Sequence, residues 1–366
     1  MPAPRILHVG KDQAYSSIAA AAVAAKDADV VEIEAGDYVG DVAVWTQKKL
    51  VIRGVHGRVR LYAGGTSAEG KAIWVFRQGD YLVDNIEFIG TRVADLNGAG
   101  IRFEKGHLVV QNCVFHDNQT GLLASDDHEA DLEVKDSEFF RNGFHDGGIH
   151  HNLYVGQIAR LRVTGSYFHH AVHGHLFKSR ARESFIFYNR MTDELGGEAS
   201  YELEFPNGGV AYVVGNIVQQ GAWTENPHLI SFGAEGYTWP RNELYLVNNT
   251  LVDDKPRNGI FLRVNPGVQR LVAMNNLLVG KGDLESAGPG EFRANFHAEW
   301  RDMALAPRQD YRLKPGAPAV GKAVAPGTAN GVDLRAQREY VYPRGSRPLD
   351  AVQPFQPGAL QTLVAP

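Results

Sequence analysis

"YLVDNIEF" at residues 81–88 is the stretch that decides the fold, because its pattern returns along the chain. "LVVQNCVF" (108–115), "LEVKDSEF" (132–139) and "LRVTGSYF" (161–168) repeat it closely. "FIFYNRMT" (185–192), "YVVGNIVQ" (212–219), "YLVNNTLV" (245–252) and "VAMNNLLV" (272–279) repeat it more loosely. The fifth residues are Asn85, Asn112, Asp136, Gly165, Asn189, Asn216, Asn249 and Asn276. Apolar residues stand two and four places before them, for example Val83 and Tyr81, or Val110 and Leu108. That alternation is a strand with one face buried. Phe88, Phe115, Phe139 and Phe168 share the eighth place and predict an aromatic stack. A repeat of about 27 residues is short for a propeller blade and lacks the helical half of a helical-repeat unit. One coil of an all-β parallel β-helix fits it, each coil giving two or three short strands stacked on the last. Asparagine suits a fixed corner of such a coil. It tolerates left-handed backbone, and its amide can bond from coil to coil.

The rest of the sequence bounds the answer. The chain has 366 residues, a formal net charge of −5 and 40 glycines. No basic tail or basic amphipathic helix is present, which argues against a nucleic-acid or membrane-surface partner. No apolar run reaches membrane-spanning length. The single cysteine, Cys113, excludes an intrachain disulfide framework and reads as buried filler in "QNCVF". "AYSSIAAAAVAAKDAD" (14–29) predicts an alanine-rich capping helix. Residues 1–40 are expected to form the N-terminal cap, 41–281 the coils, and 282–366 an irregular C-terminal cap folded back on them. The start "MPAPRILHVG" is not a signal peptide.

The opening "ILHVGKDQAYSSIAAA", the "NNTLV" coils and the tail "DYRLKPGAPAVG" make the chain resemble the pectin-lyase-like superfamily. The resemblance implies a right-handed parallel β-helix, a polysaccharide or oligosaccharide partner, and secretion or a periplasmic location. It includes lyases, epimerases and hydrolases, so it does not name the reaction.

Chemistry-bearing residues concentrate on the second strand of the middle coils. Stacking is expected to set His151, Asn152 and Tyr154 beside His173, His175, Lys178 and Arg180, and these beside Glu202 and Glu204. Histidine suits proton transfer near neutrality. Lys178 and Arg180 share strand parity and suit neutralisation of a uronate carboxylate, and Tyr154 suits protonation of a leaving oxygen. Glu202 and Glu204, two apart, are expected on one face, as a hydrolase carboxyl pair requires. A His-x-His spacing with a nearby glutamate also suits a divalent metal, calcium or zinc. Substrate contacts are expected from Asn152, Asn207, Glu235 and Arg263, with Trp223 and Trp239 as sugar platforms on loops. "SDDH" (125–128) resembles the paired aspartates of polygalacturonase-type hydrolases, and also reads as an ordinary acidic turn. Three functions compete: proton abstraction by a lyase or epimerase, glycoside hydrolysis by a glutamate pair, and carbohydrate binding without turnover.

Overall fold

The computed structural model describes residues 4–257, 259–284, 287–350 and 356–364. The chain is a parallel β-helix, and it divides into two compact units, residues 1–161 with 168–181 and residues 162–167 with 182–366. In the first unit one sheet face runs through Ala43–Trp45, Ala72–Phe76, Ala99–Phe103, Thr120–Ala124, His150–Val155 and Gly174–Ser179, every pairing parallel. A second run links Asp29–Val39, Lys49–Tyr62, Asp80–Asp84, His107–Gln111 and Asp127–Lys135. A third links Ile86–Ile89, Val114–His116 and Glu138–Phe140. The second unit repeats the three-strand coil. Its runs are Glu183–Phe187 to Glu291–Arg293, Arg190–Thr192 to Phe296–Ala298, and Leu203–Phe205, His228–Phe232 and Ile260–Val264.

The expected phenylalanine stack is present. Phe88, Phe115, Phe139 and Phe168 lie face to face with centroids 4.9, 4.6 and 4.8 Å apart. Offset stacking at this separation suits aromatic quadrupoles, and each ring is fully buried. Gly100 allows it: a Cβ there would lie 2.8 Å from both Phe88 and Phe115.

The asparagine column holds two positions, not one. In the early coils the fifth residues, Asn85, Asn112, Asp136 and Gly165, are the left-handed corner. In the later coils the corner falls one place earlier, on Tyr188, Gly215, Asn248 and Asn275. Asn189, Asn216, Asn249 and Asn276 therefore point inward and are fully buried. There they form a ladder. Each Oδ1 accepts the backbone N–H of the preceding coil, from Ser166 N to Asn189, Asn189 N to Asn216, Asn216 N to Asn249 and Asn249 N to Asn276, all at 2.9 Å. Each Nδ2 donates to a carbonyl one strand back, such as Val163 O or Ile186 O. The corner needs a left-handed residue, and the buried N–H groups need an acceptor; asparagine meets either need.

The helix is shorter than the alanine run predicted: it spans Ile18–Ala24. Ser17 Oγ accepts Ala20 N, and Asp41 accepts Ile18 N and Ala19 N. Gln47 Nε2 donates to Ala22 O and Ala25 O, closing the other end. Paired strands already start at Ile6–Val9 and continue to Phe296–Ala298, inside the segments expected as caps. The tail beyond lies along the coils of its own unit. Met303, Tyr311, Leu313 and Tyr340 pack on Ile217, Val252 and Leu277.

Candidate active site

Parallel register builds the site within the first unit. His151 pairs with His175 and Tyr154 with Lys178 on adjacent strands. One strand earlier the same positions carry Thr120 and Leu123, and before those Ala99 and Arg102. The proton-exchanging groups are thus confined to the last two of these strands.

His151 and Tyr154 are three apart, which strict alternation would send to opposite faces. Both face outward because two consecutive residues, Asn152 and Leu153, turn inward and are fully buried. Leu176 and Phe177 repeat this on the next strand, Phe177 extending the stack onto Phe168 at 5.4 Å. His175 and Lys178 are brought to the same outer row by that step.

The row is tightly packed. The His151 ring stacks on Tyr154 at 5.2 Å and meets His175 edge-on at 4.7 Å. Arg180 Nε donates to Tyr154 Oη at 3.0 Å, and its guanidinium carbon lies 5.8 Å from that ring's centroid. His175, Lys178 and His151 are largely buried. Burial drives the His151 pKa well below its usual value, helped by His175, Lys178, His150 and Arg180. The backbone N–H of His175 donates to His151 Nδ1 at 3.4 Å. A neutral imidazole accepting at Nδ1 carries its proton on Nε2. Tyr154 accepts from Arg180, so its own phenolic proton is directed elsewhere.

His150, beside the row, is fully buried, and its Nε2 lies 2.6 Å from Asp146 Oδ1. Despite burial, bonds from His150, Gly148 N and Gln119 hold the Asp146 carboxyl at about 2. Asp146 was not legible as a partner of this strand, because it sits in a turn with no repeat to place it.

Several expected site residues lie elsewhere. Asn152, expected as a substrate contact, is fully buried in an inner ladder, accepting from Asn142 Nδ2 and donating to Phe139 O and His169 O. His173 occupies the left-handed corner before the strand, its ring 5.8 Å from that of His145. Asp126 and Asp127 of "SDDH" accept the backbone N–H groups of Gln157 and Glu129, as an acidic turn does.

In the second unit Glu202 and Glu204 have different surroundings. Glu204 shares a cross-strand row with Ser231 and Arg263. Glu202 is fully buried, and its carboxyl and that of Asp193 both accept from Thr224 Oγ1, at 3.2 and 3.4 Å. Burial raises the Glu202 pKa well above the usual range, and the Asp193 charge adds to the effect. Asn207 is buried and its amide donates to Gly236 O. Glu235 is exposed in a turn, and Arg263 is exposed with Nη1 3.5 Å from Tyr201 Oη. Trp223 is 70% exposed, while Trp239 is half-buried under Arg182. Among the described residues no group of three or more His, Cys, Asp or Glu side chains converges as a metal site.

The fold has a solved counterpart. The structure of pectate lyase Pel9A superposes with a TM-score of 0.62 at 14% sequence identity, covering 93% of this chain and 98% of that one. The chain has the pectin-lyase-like parallel β-helix fold. No family model and no curated protein sequence matches the chain. No helix is long and apolar enough to cross a membrane among the described residues.

Proposed function

We propose that this chain acts on a uronate-containing polysaccharide by proton abstraction, as a β-eliminating lyase or a related epimerase, in a secreted or periplasmic setting. The observation that carries the reading is the outer row of His151, Tyr154, His175, Lys178 and Arg180 on two adjacent strands. Abstracting the C5 proton of a uronate requires that the adjacent carboxylate be neutralised, and a lysine and an arginine suit that role. His151, neutral with Nε2–H outward, adds a hydrogen-bond donor without adding charge. His175 is the base that takes the C5 proton. The electron pair forms the C4–C5 double bond as the C4–O bond breaks, and Tyr154 donates its proton to the leaving oxygen. In the epimerase variant the proton returns to C5 from the opposite face and the C4–O bond stays intact.

A hydrolase using Glu202 and Glu204 is less well supported, since Glu202 is fully buried and shares Thr224 with Asp193. Likeness to Pel9A supports the choice of an acidic polysaccharide at the level of fold.

The test is a panel of uronate and neutral polysaccharides, read for ultraviolet absorbance, reducing ends and solvent-deuterium uptake at C5, for wild type and His175→Ala. Absorbance lost in the variant supports elimination, and deuterium uptake without absorbance supports epimerisation. Reducing ends without absorbance, or activity unchanged in His175→Ala, would overturn the assignment.

A further inference from the structure

Within the second unit, the tail and the coils enclose a cavity of about 570 Å³ lined by Tyr167, Arg190, Arg308, Arg312, Tyr342 and Arg347, among others. Its volume falls in the roughly 300–1,000 Å³ range of small-molecule sites. Every lining residue belongs to this unit.

The floor is built from buried polar groups. Arg190 is 7% exposed and lies beside a T-shaped pair of phenol rings, its guanidinium carbon 5.5 Å from the Tyr167 centroid and 5.9 Å from that of Tyr342, with Glu194 ion-paired to it at 3.7 Å. It is fixed by Gln309, whose side-chain oxygen and carbonyl both accept from it, and by Thr192 at 3.2 Å. Tyr167 donates to Glu194. Two of the arginines in the wall are matched by their own carboxylates, Arg312 by Asp310 and Arg347 by the buried Glu339. The fourth, Arg308, is exposed and has no side-chain hydrogen bond or ion pair among the described residues. Tyr342, lining the same cavity, is 68% exposed, an aromatic ring left in water.

An open phenol face and an uncommitted guanidinium lining one cavity, over a floor whose arginine is already ion-paired to Glu194, make a combination suited to an acidic sugar. The ring takes the apolar face of the pyranose, and the fork of Arg308 takes the carboxylate. We infer that this cavity is a second, non-catalytic site that binds a uronate-bearing oligosaccharide. The choice of uronate among anionic sugars rests on the function proposed above; the site's preference for an anionic sugar rests on the cavity alone.

The experiment measures binding without turnover. Uronate trisaccharides, their neutral counterparts and inorganic phosphate are titrated calorimetrically into a Lys178→Ala/Arg180→Ala background, which weakens capture at the row. The same titrations follow in that background with Arg308→Ala or Tyr342→Ala added, each checked for an unchanged unfolding midpoint. The expected result is uronate binding that persists in the background and falls about tenfold or more with either added change. Loss of the binding in the row variant itself, no uronate binding at all, equal binding of neutral sugars, phosphate binding at least as tight as uronate, or binding untouched by both cavity changes would each overturn the inference. Turnover plays no part in the readout, so failure of the lyase assignment shows up separately, in the absorbance assay.

Discussion

The asparagine ladder makes a quantitative prediction at Asn216. Its side chain takes part in four hydrogen bonds: Nδ2 to Ile186 O at 2.7 Å and to Asn249 Oδ1 at 3.0 Å, and Oδ1 from Asn189 N at 2.9 Å and Asn189 Nδ2 at 3.1 Å. Asn216→Ala removes all four, but their partners do not suffer equally. Asn249 Oδ1 still accepts Asn216 N, and Asn189 Nδ2 still reaches Val163 O. The Asn189 N–H, fully buried, loses its acceptor. An orphaned buried donor costs about 1–3 kcal/mol, and each ordinary hydrogen bond contributes about 0.5–1.5 kcal/mol net. Counting the orphan and one further bond to Ile186 O gives a destabilisation of about 3 kcal/mol. Asn216→Ser should recover about half of this, because a serine oxygen can serve the same N–H, as Ser137 Oγ does for Cys113 N at 3.2 Å. The assay is denaturant unfolding, with amide exchange at Asn189 as the local readout, since a solenoid can open coil by coil. An alanine variant within about 0.5 kcal/mol of wild type would refute the ladder as a stabilising device. A serine variant no better than alanine would refute the orphaned N–H as the cause.

Other outcomes follow from the two units separately. Tyr154→Phe keeps the ring against His151 but removes the Arg180 contact and the phenolic proton, so kcat on a uronate polymer should fall by roughly 10²–10⁴ with KM little changed. A variant within threefold of wild type on the absorbance assay would remove Tyr154 from the acid role. His151 has its pKa depressed in the folded state, so its ring nitrogens should report a neutral, Nε2-protonated tautomer at pH 5.5 by ¹⁵N NMR. A doubly protonated ring at that pH would contradict the burial argument. Glu202 has its pKa raised in the folded state, so its contribution is complete below the ordinary carboxyl pKa and is lost as pH rises towards the raised value. Glu202→Gln should therefore gain stability relative to wild type as pH rises above the ordinary carboxyl range, by at most about 1.4 kcal/mol per pH unit. A pH-independent difference in unfolding midpoints would show that the carboxyl is already ionised in the folded protein.

How much of this was legible depends on whether the repeat itself carried the information. Coil length, strand parity and the phenylalanine stack each recur several times, so the sequence columns specify them by repetition, and the parallel pairings follow. The asparagine column misled for a chemical reason. The same side chain suits a left-handed corner and a buried ladder, so Asn112 and Asn216 look alike in a column although the first turns the chain and the second bonds between strands. The site was legible as far as stacking alone determined it, which is why His151, His175, Tyr154 and Lys178 fall in register. It failed where a local step broke the alternation. Period-two reasoning sends His151 and Tyr154 to opposite faces, and two consecutive inward residues bring them to one. That step recurs at Asn152–Leu153 and Leu176–Phe177, so it is a property of this corner of the coil and not a local accident. It sets His151 and His175 in one outer row with Tyr154 and Lys178, and the proton-abstraction reading rests on that row.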